Sequence, residues 1–231
     1  MCGRFANRAK PEQIKTEFKT GNKNPELYKA RYNIAPAQMI DAVFAETENE
    51  RILTELKWGL VPSWAKDAGI GNKMINARAE TLSEKPSFRE AFKKRRCIIP
   101  ATGFYEWRKK GTGAAAVKQP FYFYLKEKEV FGFAGLWEEW IDKTSGEILE
   151  TCAIITTSAN EVLKPVHERM PVILKAEDYD LWLDPKTNDA DRLQNLLAPF
   201  PPEEMAAHAV STAINYPESD SPELIKPLNS L

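Results

Sequence analysis

The chain has 231 residues, and its 32 Lys and Arg nearly balance 33 Asp and Glu, for a formal net charge of −1. Hydrophobic residues make up 43% and aromatics 10%, enough for a packed core, which excludes wholesale disorder. The sequence contains no apolar run of the roughly 18 residues that a bilayer-spanning helix needs.

The near-zero total conceals a split. Residues 1–110 carry 22 basic and 13 acidic side chains, and residues 111–231 carry 10 and 20. Two arrangements accommodate this: halves that pair across one globule, or a polarised globule with a basic binding face. Polarisation is the expectation adopted here. The N-terminus, Met1-Cys2-Gly3-Arg4-Phe5, lacks the apolar stretch of a signal peptide. Three cysteines, Cys2, Cys97 and Cys152, suit reduced thiols in a cytoplasmic protein, nucleoid-associated if bacterial. They lack paired spacing, and His167 and His208 stand far apart, so neither a metal nor another cofactor is expected.

In chain order, Pro11 opens a helix over residues 11–19, with Ile14 and Phe18 one turn apart. Alternating strands at 39–46 and 51–58 flank a turn at Thr47-Glu48-Asn49-Glu50. A loop with tryptophans at both ends follows, Trp58-Gly59-Leu60-Val61-Pro62-Ser63-Trp64. Residues 75–80 alternate, which puts Asn76, Arg78 and Glu80 on one face. A helix over 86–94 carries Phe88 and Phe92. Short strands at 95–100 and 103–108 precede a flexible insertion, Gly111-Thr112-Gly113-Ala114-Ala115-Ala116. Strands at 120–126, 130–137 and 148–157 complete the β-rich centre, and helices are expected at 158–164, 176–183 and 188–197. The Pro-rich residues 217–231 read as an extended tail. Strands outnumber helices without βα alternation. The expected class is therefore α+β, with mainly antiparallel sheets forming a barrel-like core and helices at its periphery.

Several residues stand out chemically. Cys2 follows Met1, and initiator methionine is commonly removed before a small residue. The α-amine and thiol of Cys2 would then form an aminothiol. The amine, with a pKa of about 8, is partly neutral and nucleophilic at pH 7. It can form an imine with an aldehyde, and the sulfur can then close a five-membered thiazolidine. An ordinary second-position cysteine is the competing reading. Trp58 and Trp64 can stack on unpaired bases or pack a core. Arg78 can grip a phosphate and Asn76 offers both donor and acceptor. Residues 73–110 hold 11 basic and 4 acidic side chains. Glu106, within Gly103-Phe104-Tyr105-Glu106-Trp107, is a carboxylate among aromatics whose pKa should rise toward the range of a general acid or base. The alternative is a surface glutamate on a strand with Phe104 also outward. His167 is either a surface group or a proton carrier. Cys97 and Cys152 read as buried apolar groups and His208 as structural.

The order of these pieces carries more than each alone. Cys2-Gly3-Arg4-Phe5, Arg31-Tyr32-Asn33-Ile34-Ala35-Pro36, Trp58 to Trp64, Ile75-Asn76-Ala77-Arg78-Ala79-Glu80, Arg96-Cys97-Ile98-Ile99-Pro100, Gly103 to Trp107 and His167-Glu168-Arg169-Met170-Pro171 together resemble the SRAP family, the SOS response-associated peptidases or abasic-site processing proteins. The resemblance implies a single SRAP domain over 1–231 that binds single-stranded DNA and crosslinks covalently to abasic sites. It implies that Cys2 is the crosslinking nucleophile, that Asn76 orients the terminus or the sugar, that Glu106 is the acid or base, and that His167 assists proton transfer on the opened deoxyribose. It also implies self-removal of Met1, a lyase side reaction by β-elimination when ring closure fails, and DNA contacts through Arg4, Trp58, Trp64 and Arg78. A monomer is the default expectation. Two rivals remain: an N-terminal-nucleophile glutamine amidohydrolase, which also begins Met-Cys-Gly, and a non-catalytic single-strand binding module.

Overall fold

The computed structural model describes residues 2–21, 29–47, 50–111, 117–187 and 189–228. The expected turn at Thr47–Glu50 and insertion at Gly111–Ala116 fall largely outside these residues. Fourteen strands are described: β1 (Phe5–Asn7), β2 (Thr20–Gly21), β3 (Arg31–Ile34), β4 (Met39–Thr47), β5 (Glu50–Trp58), β6 (Asn76–Arg78), β7 (Arg96–Ala101), β8 (Gly103–Lys110), β9 (Val117–Leu125), β10 (Phe131–Ile141), β11 (Ile148–Ser158), β12 (Arg169–Pro171), β13 (Ile173–Leu174) and β14 (Met205–Ala209). Four short α-helices accompany them: α1 (Pro11–Phe18), α2 (Arg89–Lys94), α3 (Tyr179–Leu183) and α4 (Ala190–Asn195).

The architecture is α+β around a closed barrel. Antiparallel pairings run β11–β10–β7–β4–β5. A short parallel ladder of β5 against β11, Lys57 with Thr151 and Trp58 with Cys152, joins the two ends. The closed ring leaves no free edge along that ladder. A second, wholly antiparallel sheet has the order β14–β9–β8–β1–β3. Aromatic rings fasten this sheet to the barrel. Phe104 meets Phe133 of β10 edge-on at 6.0 Å. Phe5 meets Phe133 edge-on at 5.8 Å and Trp58 at 5.3 Å. Such pairs contribute about 0.5–1.5 kcal/mol beyond their area burial.

Local sequence explains the elements that flank the barrel. Pro11 supplies the fixed φ of a first helical position, and Gln13 Oε1 accepts from the Lys10 N–H at 2.8 Å. Ile14 and Phe18 of α1 are buried against the barrel. Gly59 has φ +139°, and a Cβ there would lie 2.7 Å from the Gly71 carbonyl oxygen. Only glycine lets the chain leave β5 along this path.

Several sequence expectations change. Residues 158–164 form turns rather than a helix: Asn160 Oδ1 accepts from Leu163 N at 3.2 Å, while Asn160 Nδ2 donates to the Phe200 carbonyl at 2.7 Å. An asparagine that satisfies the backbone locally competes with helix formation. The helix expected over 86–94 is confined to Arg89–Lys94, and 176–183 divides into a 3₁₀ turn and α3. The tail is not simply extended. It makes a 3₁₀ turn at Pro222–Ile225, buries Leu224, and donates from Leu228 N to Ala209 O at 2.9 Å. His208 Nε2 lies 2.8 Å from the Ile225 carbonyl in the same tail.

Among the described residues, ion pairs join the two halves of the sequence: Arg8–Glu129 at 2.7 Å, Arg95–Glu138 at 2.6 Å, Lys128–Glu17 at 3.3 Å, Arg169–Glu80 at 2.5 Å and Arg51–Asp180. Three of these pairs take their base from the first half and two, Lys128–Glu17 and Arg169–Glu80, take it from the second, so together they offset little of the net asymmetry.

Candidate functional site

Cys2 lies immediately before β1, which pairs with β8. Phe5 is opposite Phe104, and the Tyr105 N–H reaches back to Arg4 O at 3.0 Å. This pairing sets Glu106 of β8 beside the chain start. From the barrel side, β6 runs parallel to β11, with Asn76 opposite Ile154. After β11, a turn brings the chain through His167 into β12. Two sheets thus contribute residues to one place.

Cys2 is fully buried, packed with Phe5, Trp58, Phe104 and Ile154. Asn76 Nδ2 donates to the Cys2 carbonyl at 2.8 Å. The Asn76 Oδ1 is buried and has no hydrogen-bond partner among the described residues. Burial raises the Cys2 thiol pKa, and the Glu106 charge raises it further. Glu106 is only 3% exposed. Its carboxyl is pushed up to about 7 by burial, against the lowering effect of the terminal positive charge and a bond from the Trp107 backbone. The expectation of an elevated carboxyl agrees with this geometry. The alternative of an outward strand glutamate does not, since Phe104 is buried too.

His167 Nδ1 accepts from the Arg169 N–H at 3.0 Å. A neutral ring in that bond carries its proton on Nε2. Burial lowers the imidazole pKa, favouring the neutral form. Arg169 also forks onto Glu80, Nη1 to Oε1 at 2.5 Å and Nη2 to Oε2 at 3.0 Å, and Nη2 donates to Thr156 O at 2.5 Å. Glu80 therefore braces the His167 turn against the segment carrying Asn76. Glu106 and His167 line one groove of about 540 Å³, with Trp107, Lys109, Lys118 and Asn215. Trp107 Nε1 donates to Asn215 Oδ1 at 2.7 Å. Among the described residues no three His, Cys, Asp or Glu side chains converge as a metal site.

Placement of the four expected DNA-contacting residues is mixed. Trp58 offers no ring to a base: it is fully buried, and its Nε1 donates to Ile75 O at 2.8 Å. It terminates β5 on the inner face and belongs to the core. Trp64, at the other end of the loop, is 57% exposed. Arg78 is exposed at the end of β6. Arg4 is half-buried, with Nη1 donating to Asn33 Oδ1 at 2.6 Å and Ile214 O at 2.7 Å; it ties the chain start to the C-terminal segment. Sequence reasoning did not single out Lys109, Lys118 or Asn215 as groove residues.

A closed barrel with an attached antiparallel sheet thus carries a buried Cys2 whose carbonyl is held by Asn76, beside a groove lined by Glu106 and His167. The chain belongs to the SOS response associated peptidase (SRAP) family, which it matches over residues 1–217. It is 48% identical to the abasic site processing protein YoqW of Bacillus subtilis, over 98% of this chain and 99% of that one. The abasic site processing protein HMCES of Gallus gallus is 32% identical over 78% of this chain and 59% of its own length. A crystal structure of a protein from Bacteroides thetaiotaomicron superposes with a TM-score of 0.86 at 30% identity, covering 98% of this chain and all of that one. No helix among the described residues is long and apolar enough to cross a membrane.

Proposed function

We propose that this protein captures abasic sites in single-stranded DNA through a thiazolidine bond to Cys2, formed after it hydrolyses away its own Met1. The observation that carries this reading is the enclosure of Cys2. Its carbonyl is held by Asn76 at 2.8 Å, and its thiol feels the charge of Glu106, a carboxyl with a pKa near 7. The names of the Bacillus and Gallus relatives support the same substrate.

Loss of Met1 frees an amine next to the thiol, and the unpartnered Asn76 Oδ1 is an acceptor for it. Because the thiol is held protonated, the amine is the first nucleophile. It adds to C1′ of the ring-opened deoxyribose and gives a carbinolamine. Proton donation to the hydroxyl expels one water and leaves an iminium. Cys2 Sγ then bonds to C1′ while its thiol proton departs, which closes the thiazolidine. Aldehyde and aminothiol combine with loss of one water, without oxidant or cofactor. Glu106 gives the first proton and takes the second, a role matched to a pKa near the working pH. His167 moves a proton on the opened sugar. Loss of a C2′ proton from the iminium instead leads to β-elimination and strand cleavage. Trp64 and Arg78 hold neighbouring bases and phosphates.

The test is a denaturing gel of the protein with single-stranded DNA bearing one abasic site. A shifted band that disappears with Cys2→Ala is expected. No band, or one that survives the substitution, overturns the reading. Ammonia release from glutamine would favour the amidohydrolase instead.

A further inference from the structure

The β8–β9 hairpin places Lys109 directly opposite Lys118. Both are exposed and both line the groove that holds Glu106 and His167. Like charges directly opposite one another on neighbouring strands destabilise a sheet. Among the described residues neither lysine forms an ion pair, whereas Arg8, Arg95, Lys128 and Arg169 all do. Neighbouring Arg108 is engaged otherwise, over the Phe121 ring at 4.7 Å. The fold thus maintains a repulsive pair at the mouth of its reactive groove. An anion between the two ammonium groups would turn that repulsion into two attractions.

We infer that Lys109 and Lys118 form a phosphate clamp for the DNA strand, gripping a backbone phosphate as the strand enters the groove toward Cys2. This rests on the single-stranded DNA reading above and adds to it a location for one strand contact. The clamp carries no base information, so it acts equally on damaged and undamaged strands. Its role is to bring a strand over the groove, whereas Cys2 does the chemistry.

The experiment measures binding of a fluorescent, undamaged oligothymidylate across a fourfold range of salt. For single strands the salt slope is about −0.7 per neutralised phosphate. If each lysine accounts for about one such contact, Lys109→Gln with Lys118→Gln lowers the slope by about 1.4. That corresponds to about sevenfold less salt-induced loss of affinity across the range. Lys109→Arg with Lys118→Arg restores the slope, since charge is what the clamp uses. The Gln pair has a melting temperature no lower than the parent, because a repulsion has been removed. An unchanged slope in the Gln pair overturns the clamp. If the wild type still forms its Cys2-dependent crosslink on abasic DNA, the capture reading survives that result. A wild type that neither binds nor crosslinks single strands overturns both.

Discussion

Glu106→Gln separates chemistry from folding more sharply than any other single change. The Glu106 carboxyl is 3% exposed and has a pKa of about 7, against an ordinary value of 4.5. The fold therefore binds its proton more tightly than the unfolded chain does, and stability is lost as pH rises from about 4.5 to 7. Below that window the carboxyl is protonated in both states and costs nothing. Above it the full penalty is about 3 kcal/mol. A glutamine of the same shape carries no such penalty and keeps an acceptor for the Trp107 backbone. The variant should thus be more stable than the wild type by about 3 kcal/mol at pH 8, or roughly 6–12 °C in melting temperature. At pH 5 the advantage shrinks to about 1 kcal/mol. The same variant should crosslink abasic DNA about 10²–10⁴-fold more slowly, the range expected for loss of a general acid or base. Thermal denaturation of both proteins at pH 5 and pH 8, beside a crosslinking time course, makes the comparison. A variant of equal or lower stability at pH 8, or an advantage that does not change with pH, would refute the reasoning.

Other substitutions probe the surrounding framework. Trp58→Ala empties a core position and should cost about 3–5 kcal/mol, whereas Trp64→Ala should leave the melting temperature unchanged and weaken single-strand binding; differential scanning fluorimetry with anisotropy distinguishes them. Arg169→Lys breaks the fork onto Glu80. Because Glu80 is half exposed, the stability cost should stay near or below about 1 kcal/mol, while crosslinking slows and its pH profile shifts through a less constrained His167. Gly59→Ala should reduce the yield of folded protein, since its Cβ would overlap the Gly71 carbonyl; soluble expression and circular dichroism report this.

Long alternating segments made much of this fold legible. β4, β5, β10 and β11 follow the patterns of residues 39–58 and 130–157 closely: β5 alternates in burial, whereas the long apolar runs of β10 and β11 are buried on both faces. Strands of two to five residues, such as β1, β3 and β14, carry too little periodicity to be recognised, and they exist because longer neighbours supply their ladders. The parallel contact of β5 with β11 that closes the barrel joins residues far apart in sequence, and no local pattern announces it. Strand alternation distinguishes the two roles open to Trp58, base stacking and core packing. Trp58 stands two residues after Leu56 on the same strand face, which puts it in the core, whereas Trp64 lies in the loop that follows. The motif residues Cys2, Asn76, Glu106 and His167 were visible as residue types in order, and their convergence depends on two sheets meeting. The opposition of Lys109 to Lys118 depends on hairpin register, which is set across the intervening loop.

The most direct measurement is the intact mass of the protein after incubation with a single-stranded oligonucleotide containing one abasic site, without any reducing agent. The account predicts a chain that has lost Met1, joined to the full oligonucleotide with loss of one water, stable to denaturation and absent for Cys2→Ala. Retention of Met1 in the reactive protein, or an adduct that appears only after borohydride trapping, would contradict it.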